Sequence, residues 1–530
     1  MACLPSLAGI GTVVAAGIVE CIHADLCRTS GRHSVNGALE QRLSPDELVE
    51  VCRALMTEGA RLQMAYAWFP EPDIPEVIYL ADRKRLEPFP LLRCRLLDGR
   101  RELPSLAAVT PLLGWYEREI QDLCGIRFVG HPEPSPLVLH EGARPAMPPL
   151  DPRYQPEEMM PYSPQPWHLP EVEGDDVQQL PFGPVRADVL ESAQILFYYV
   201  GEGILHCHPR LFFKHRGLEK QFEGLSPLLG VVLAERISGV DSFAHALAFC
   251  QAVEAAGSTK IPERASYLRV ILAEMERLYN HLHYLGHLCH TTTLKVGEAQ
   301  GKLLEEQCKQ INGEFTGSRF LRGLLVPGGM RRDLSLNGLE ERLRRLEPQI
   351  VNYMFELETT NSHLDRLLTT GPLPRQVAFD QGASGPIKRA SGIQRDLRWS
   401  HPYAAYGAFD VDVPVRHEGD AHARSQIRME EIRASIKLIY SALEKLPPGP
   451  VSTEVQALPG SEALGWCEST RGSIYHCVHF DEVGHLARVK VKSPSFSNWR
   501  VFPFTVHDSN MMDYAINEAS FGLTMAGCDR

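Results

Sequence analysis

Between residues 131 and 182 the chain is dense in proline, as in "HPEPSPLVLHEGARPAMPPLDPRYQPEEMMPYSPQPWHLP". Proline fixes φ and removes a backbone donor, so neither a helix nor a central strand can run through such a stretch. The chain must therefore fold as separate bodies on either side of a stiff connection. At 530 residues it is also too long for one ordinary core. We expect an α+β protein: a small α+β domain over 1–130, a linker over 131–182 draped on a surface, and a mainly helical domain with short β-hairpins over 183–530.

The N-terminal domain carries a marked helix start at "LSPDELVEVCRALMTEG", with Ser44 as N-cap, Pro45 at the first helical position and Glu47 completing a capping box. "PEVIYLADR" and "PLLRCRLLD" read as strands, and "GWYEREIQDLCG" as a short helix stopped by Gly125. After 183 comes a short strand pair, then "PERASYLRVILAEMERLYNHLHYLGHL", whose leucines, isoleucine and methionine recur every three or four residues. Two further long helices are expected over 335–369, and another at "IRMEEIRASIKLIYSALEKL". "GSIYHCVHF" and "HLARVKVKS" read as a hairpin.

Several functions are excluded early. The net charge is −12 and the basic residues are scattered, which removes nucleic acid as a partner. No apolar run has the length of a membrane span. The N-terminal "LAGIGTVVAAGIV" lacks a positive flank and a cleavage site, so it reads as a buried strand or a disordered start rather than a signal. The 13 cysteines include no Cys-x-x-Cys, which implies reduced thiols and a cytoplasmic protein, and excludes a zinc ribbon. No Gly-x-Gly-x-x-Gly opens a helix after a strand, so any NADH chemistry belongs to another subunit.

Three groups of residues could carry chemistry. His283, His287 and His290 share one helical face, which suits either a metal or a packed histidine cluster. His206 and His208 in "HCHP" share one side of a strand, a pattern that needs only a strand end to explain it. The third is "ERISGVDSFAHA", a polar knot in an otherwise apolar run. Arg236 there, if buried, needs a partner, and Asp241 or a neighbouring chain could supply it.

That knot resembles the first metal-binding motif of nickel–iron hydrogenase large subunits, Arg-x-Cys-Gly-x-Cys-x-x-x-His. Arg236, Gly239 and His245 match, while Ser238 and Asp241 stand at the cysteine positions. "SFGLTMAGCDR" is similar to the second motif, with Thr524 and Gly527 at its cysteine positions and Cys528 one place off. "HRGLEK", "ASGIQRDLRWSHPYAAY", "FDVDVPVRHEGDAHARSQIRMEEIR" and "STRGSIYH" follow the order of the superfamily that also contains the quinone-site subunit of complex I. "GWYEREIQDLCGIRFVGHP" is similar to the 30-kDa partner of that subunit. The whole chain thus resembles the fused large subunits of formate-hydrogenlyase and hydrogenase-4-type complexes, built from 30-kDa-like and 49-kDa-like parts.

The resemblance implies a hydrogenase-large-subunit-like fold for 183–530. It implies a subunit on the inner face of the cell membrane, bound to an iron–sulfur subunit like the 20-kDa subunit of complex I, a ferredoxin-like subunit and antiporter-like membrane subunits. Nickel and low-spin iron need soft thiolates. Ser238, Asp241 and Thr524 offer hard oxygen and Gly527 offers nothing, so no nickel–iron centre is expected. On the quinone side, the family's tyrosine falls on Gly239 and its histidine near Arg186, whose guanidinium could still donate to a carbonyl. The expected pocket comprises His215, Glu219, Arg236, Asp241, His245 and Arg471, with Arg186, Ser238, Gly239 and Thr524 as acceptor contacts. Either a quinone-like acceptor is reduced there, with Asp241 taking up a proton and His245 relaying it, or the subunit is a non-catalytic scaffold.

Overall fold

The computed structural model describes residues 34–35 and 38–530, apart from 84, 144, 156–162, 164–166, 168–171, 187–190, 457–458 and 508. The expectation for "LAGIGTVVAAGIV" lies outside the described residues.

The N-terminal domain is a five-stranded sheet, order β1 (Ser34–Val35), β2 (Ala38–Leu43), β5 (Phe89–Arg95), β4 (Ile74–Asp82), β3 (Arg61–Glu71). Only β2 and β5 pair in parallel. β4 is buried on both faces, which is why its sequence shows an apolar run rather than alternation. Helix α1 (Leu48–Thr57) starts a turn later than expected. The Glu47 carboxylate does accept from the Ser44 N–H at 2.9 Å, but the Ser44 hydroxyl donates to that same carboxylate instead of accepting from the helix. Half of the capping box therefore forms. Helix α2 (Gly114–Cys124) ends on Gly125 at φ 70°, as expected.

The described part of the proline-dense stretch is pinned rather than merely draped. One Asp122 carboxylate oxygen accepts the N–H groups of Leu137, Val138 and Leu139 at 2.8–3.2 Å. Val138 and Leu150 are buried in the core. Its last residues, Gln178–Phe182, form strand β6, which pairs with β7 (Gln194–Val200) and through it with β8 (Gly203–Arg210). The expected strand pair is thus a three-stranded sheet that begins inside the proline-dense stretch.

The helical body follows. α3 (Pro227–Ala234) and α4 (Ser242–Ala256) are separated by a break at 235–241, and that break is the polar knot. α5 (Glu263–Thr291) is the central helix and packs against α6 (Lys295–Thr316) and α8 (Ala421–Glu444). Over 335–369, α7 (Leu339–Thr359) is long, whereas its neighbour Asn361–Leu367 has only seven residues. The expected hairpin gains a third strand: β9 (Glu462–Glu468), β10 (Ser473–Phe480) and β11 (Leu486–Lys492) form one antiparallel sheet. α9 (Pro494–Val501) and α10 (Met525–Asp529) complete the body.

The two domains share a buried boundary. Trp68 stacks on His479 at 4.5 Å, the Tyr66 hydroxyl bonds the same imidazole at 3.1 Å, and Arg93 pairs with Glu462. Glu119 of α2 pairs with Lys490 at 2.8 Å and with Arg530 at 2.7 Å.

Candidate functional site

The break between α3 and α4 is brought against α10 by one side chain. Arg216 donates to the carbonyls of Arg236 (2.8 Å) and Ile237 (2.7 Å) on one side and of Ala526 (2.9 Å) on the other. The two motifs, nearly 300 residues apart in the chain, therefore face each other. Arg471, on the turn between β9 and β10, adds a second link. It donates to the Gly522 carbonyl at 2.6 Å and lies 3.6 Å from Asp241.

Asp241 stands at the N-cap position of α4 but does not cap it. Glu276, from α5, does so instead: its carboxylate accepts the N–H groups of Phe243 (2.8 Å) and Ala244 (3.0 Å). Asp241 is released to turn the other way and accepts from the Thr470 hydroxyl at 2.8 Å. Both carboxyls are buried. Burial, reinforced by the Asp241 charge, pushes Glu276 up to about 8. The Tyr279 side chain, one turn further along α5, is also buried, beside Asn280.

His245 is fully buried and meets His476 of β10, Nδ1 to Nε2, at 3.1 Å. Burial, with Arg530 and Arg216 nearby, pulls His245 down to about 3, and burial beside His245 holds His476 well below the usual range. Both rings are thus neutral at physiological pH, one donating to the other. The outer nitrogens, His245 Nε2 and His476 Nδ1, are left unpaired.

Glu219 faces three cations: Arg488 at 2.7 Å, Lys490 at 3.0 Å and Arg530 at 3.2 Å. Burial works against its ionisation, but Lys490, Arg488 and Arg530 outweigh it and hold the carboxyl well below the usual carboxylate range. His215 is half-buried, its Nδ1 bonded to the Asp529 carbonyl at 2.6 Å, and burial lowers its basicity.

Two expectations are corrected. Arg236 is exposed, not buried, and bonds the Val232 carbonyl of its own turn at 2.6 Å; the guanidinium beside Asp241 is Arg471. The run is broken at 235, so Arg236 points away from the apolar face that a continuous helix would have given it. Arg186 is not an open donor, since it makes a bidentate pair with Glu518 at 2.9 and 3.0 Å. Glu276, Tyr279, Thr470 and His476 were missed. No local motif marks them; only the fold brings them to the knot.

The former ligand positions do not supply a nickel–iron donor set. Asp241 is engaged by Thr470, and the Ser238 hydroxyl is buried without a partner. Thr524 Oγ1 caps α10 by accepting the Gly527 N–H at 3.0 Å. A Cβ at Gly527 would sit 2.7 Å from Thr524 Oγ1 and 3.1 Å from Ser493 Oγ, so even a small side chain is crowded there. Soft thiolate is replaced by hard oxygen at Ser238, Asp241 and Thr524, and by no side-chain donor at Gly527.

The other histidines lie elsewhere. His283, His287 and His290 stack in parallel, centroids 6.3 Å apart, with His283 and His290 each 3.0 Å from a glutamate of α6, Glu305 and Glu298. Among the described residues no group of three or more His, Cys, Asp or Glu is placed to hold a metal ion. His206 and His208 line a cavity of about 640 Å³ beside α2, with Trp115, Arg118 and Phe212.

Comparison with known proteins places the chain in a family. The 49-kDa subunit model of respiratory-chain NADH dehydrogenase matches residues 304–459 and 451–530, the 30-kDa subunit model matches 41–159, and the nickel-dependent hydrogenase model matches 216–301. Formate hydrogenlyase subunit 5 of Escherichia coli is 31% identical over 80% of this chain and 76% of its own length. The chain belongs to this family of fused large subunits. Hydrogenase-4 component G of the same organism is 32% identical over 78% of this chain and 73% of its own. The C/D subunit of NADH-quinone oxidoreductase from Pseudomonas paraeruginosa is 26% identical over 83% of this chain and 82% of its own. Among solved structures, a chain of the membrane-bound sulfane sulfur reductase, an archaeal respiratory membrane complex, superposes with a TM-score of 0.64 at 25% identity, covering 67% of this chain and 99% of that one. Family members thus include oxidoreductases related to complex I and to hydrogenases. No helix among the described residues is long and apolar enough to cross a membrane.

Proposed function

We propose that this large subunit works without a nickel–iron centre in a membrane-associated complex. It would take the arrival of electrons at an iron–sulfur cluster of a partner subunit and couple it to reduction of a quinone-like acceptor or to ion translocation. The 20-kDa-like, ferredoxin-like and antiporter-like subunits are its proposed partners, with the chain held peripherally on the inner face of the membrane. The observation that carries this reading is Asp241. It occupies a thiolate position, is buried, and is held by Thr470 and Arg471. A buried carboxyl beside a cation can exchange a proton as nearby charge changes, which is what coupling requires and a nickel ligand does not.

A second reading, a non-catalytic scaffold, is favoured by the saturation of two other candidates. Glu219 is enclosed by three cations and Arg186 by Glu518. Purification of the native complex, with metal analysis and acceptor assays, separates the readings. Iron without nickel, with quinone reduction lost in Asp241→Asn and Glu219→Gln, supports the first. Activity unchanged in both variants supports the scaffold. Stoichiometric nickel sinks both.

A further inference from the structure

The cavity of about 640 Å³ lies where the two domains and the proline-dense stretch meet. Its walls include Trp115 and Arg118 of α2, Leu137 of the stretch, Phe212 just past β8, Arg500 of α9 and Phe504 in the turn that follows. Small-molecule sites have volumes of about 300–1,000 Å³ and favour domain boundaries. The stretch is a fixed wall there. The Leu137 N–H is held by Asp122 at 2.8 Å, and the Ser135 and Pro136 carbonyls accept from Arg118 at 2.8 and 2.9 Å. None of these residues bonds Asp241 or Glu276, so the cavity is separate from the knot.

Part of the lining is aromatic. Trp115 and Phe212 meet edge-on with ring centroids 6.4 Å apart, and Phe504 stands 48% exposed. Phe212 is held at φ 66°, a backbone region that a bulky side chain seldom adopts and that is concentrated at binding sites. The charges of the lining do not balance. Arg118 is paired with Glu133 at 3.1 Å, and Arg210 with Glu141. Arg500 has no carboxylate partner among the described residues. Its one short hydrogen bond goes to the Gln381 side-chain oxygen at 2.6 Å, with the Gln381 carbonyl 3.5 Å away. A guanidinium carries five N–H donors in a fixed fork, so most of its donors are unused. The two carboxyls that act on it from a distance are engaged elsewhere. Glu133 is on Arg118, and Glu117 accepts the Ser105 hydroxyl at 2.5 Å and the Leu106 N–H at 2.7 Å. Burial pulls Arg500 down to about 9, so it is still charged at neutral pH. A cation held out of water costs free energy unless a counter-charge meets it.

We propose that this cavity binds a small organic carboxylate with a flat apolar body, its carboxylate on Arg500 and its body against the aromatic lining. A guanidinium fork matches a carboxylate in two parallel hydrogen bonds. Aromatic side chains match a flat ring by stacked or edge-on contact. A bare inorganic anion would meet the guanidinium and leave the aromatic lining unused. A neutral ring would do the reverse. Only a ligand that joins the two uses both halves of the cavity.

The test is isothermal titration calorimetry of the full chain with three probes: 2-naphthoate, the neutral 2-naphthamide and inorganic phosphate. The wild type should bind 2-naphthoate at one site, about tenfold or more tighter than 2-naphthamide, the factor expected for one charge-assisted hydrogen-bonded contact. Arg500→Gln, checked by circular dichroism, should abolish that preference and leave 2-naphthamide binding unchanged. Phe504→Ala, at an exposed ring, should weaken both naphthyl probes. Equal wild-type affinity for the two, or binding of neither, overturns the proposal, and that comparison holds even if Arg500→Gln does not fold. Unchanged binding in Phe504→Ala puts the ligand elsewhere and overturns it too. Phosphate bound as tightly as 2-naphthoate would mark a bare anion site. Binding lost once the chain is assembled in its native complex would mark a subunit interface. Either result overturns the proposal.

Discussion

At the scale of single residues, the knot is governed by which carboxyl is protonated. Glu276 is pushed up to about 8 by burial and by Asp241, above the ordinary carboxyl value of 4.5. In the unfolded chain it ionises first, so between those values the native state holds the extra proton and stability falls as pH rises. Glu276→Gln should therefore match the wild type in acid and become progressively more stable than it between about pH 4.5 and 8, approaching the ~1.4 kcal/mol per pH unit of a single proton; denaturant melts across that window read this directly. Arg471→Ala should cost about 3–5 kcal/mol by stranding the buried Asp241 charge, and adding Asp241→Asn should restore part of it. A double-mutant cycle showing simple additivity would remove the pair from the account. The sequence exposed Asp241 because its neighbours Arg236, Gly239 and His245 keep a recognisable spacing. It hid Glu276 because a glutamate in an amphipathic helix has no signature. It misassigned Arg236 because a seven-residue break in a helix looks, in composition, like more helix.

At the scale of elements, the long helices and strands were legible wherever one face was apolar. α6 was not, and its contact surface explains why. Gly301 packs directly on Gly286 of α5, and a Cβ there would meet the Gly286 Cα and the Tyr353 hydroxyl, both at 2.6 Å. The α5–α6 contact is thus closest at a pair of glycines, and with only Leu304, Cys308 and Ile311 as larger apolar residues buried along α6 its apolar stripe is thin. Gly301→Ala should destabilise by about 1–3 kcal/mol through overpacking, against the small gain Ala brings to an ordinary helix; thermal melts distinguish the signs. That close approach sets how near α6 comes to α5, where Glu305 meets His283 at 3.0 Å. Neutralising Glu219, as in Glu219→Gln, leaves Arg488 without its carboxylate and Lys490 and Arg530 to share Glu119, and should cost about 3–5 kcal/mol, as for other broken buried pairs.

At the scale of the molecule, proline density drew attention to residues 131–182 but hid the contacts that stretch makes. Asp122, Val138 and Leu150 tie the stretch down, and residues 178–182 join the next sheet, because a side-chain carboxylate can satisfy backbone that proline keeps out of helices. The domain boundary is ionic as well as aromatic: Glu119 reaches Lys490 and Arg530, beside the Trp68–His479 stack. Arg530→Gln should loosen that joint, and hydrogen exchange in α2 should rise while exchange in α5 stays slow; equal protection in both would show that the aromatic contacts alone hold the domains. The clasp made by Arg216 has a consequence in time. Its contact with Ala526 spans 310 positions, and contacts so distant in sequence form late, after most of the loop-closure entropy has been spent. The knot, although encoded before the middle of the chain, is therefore among the last parts of the protein to take shape. The contact between α5 and α6, which is local in the chain, is expected to form before the pocket closes over Asp241.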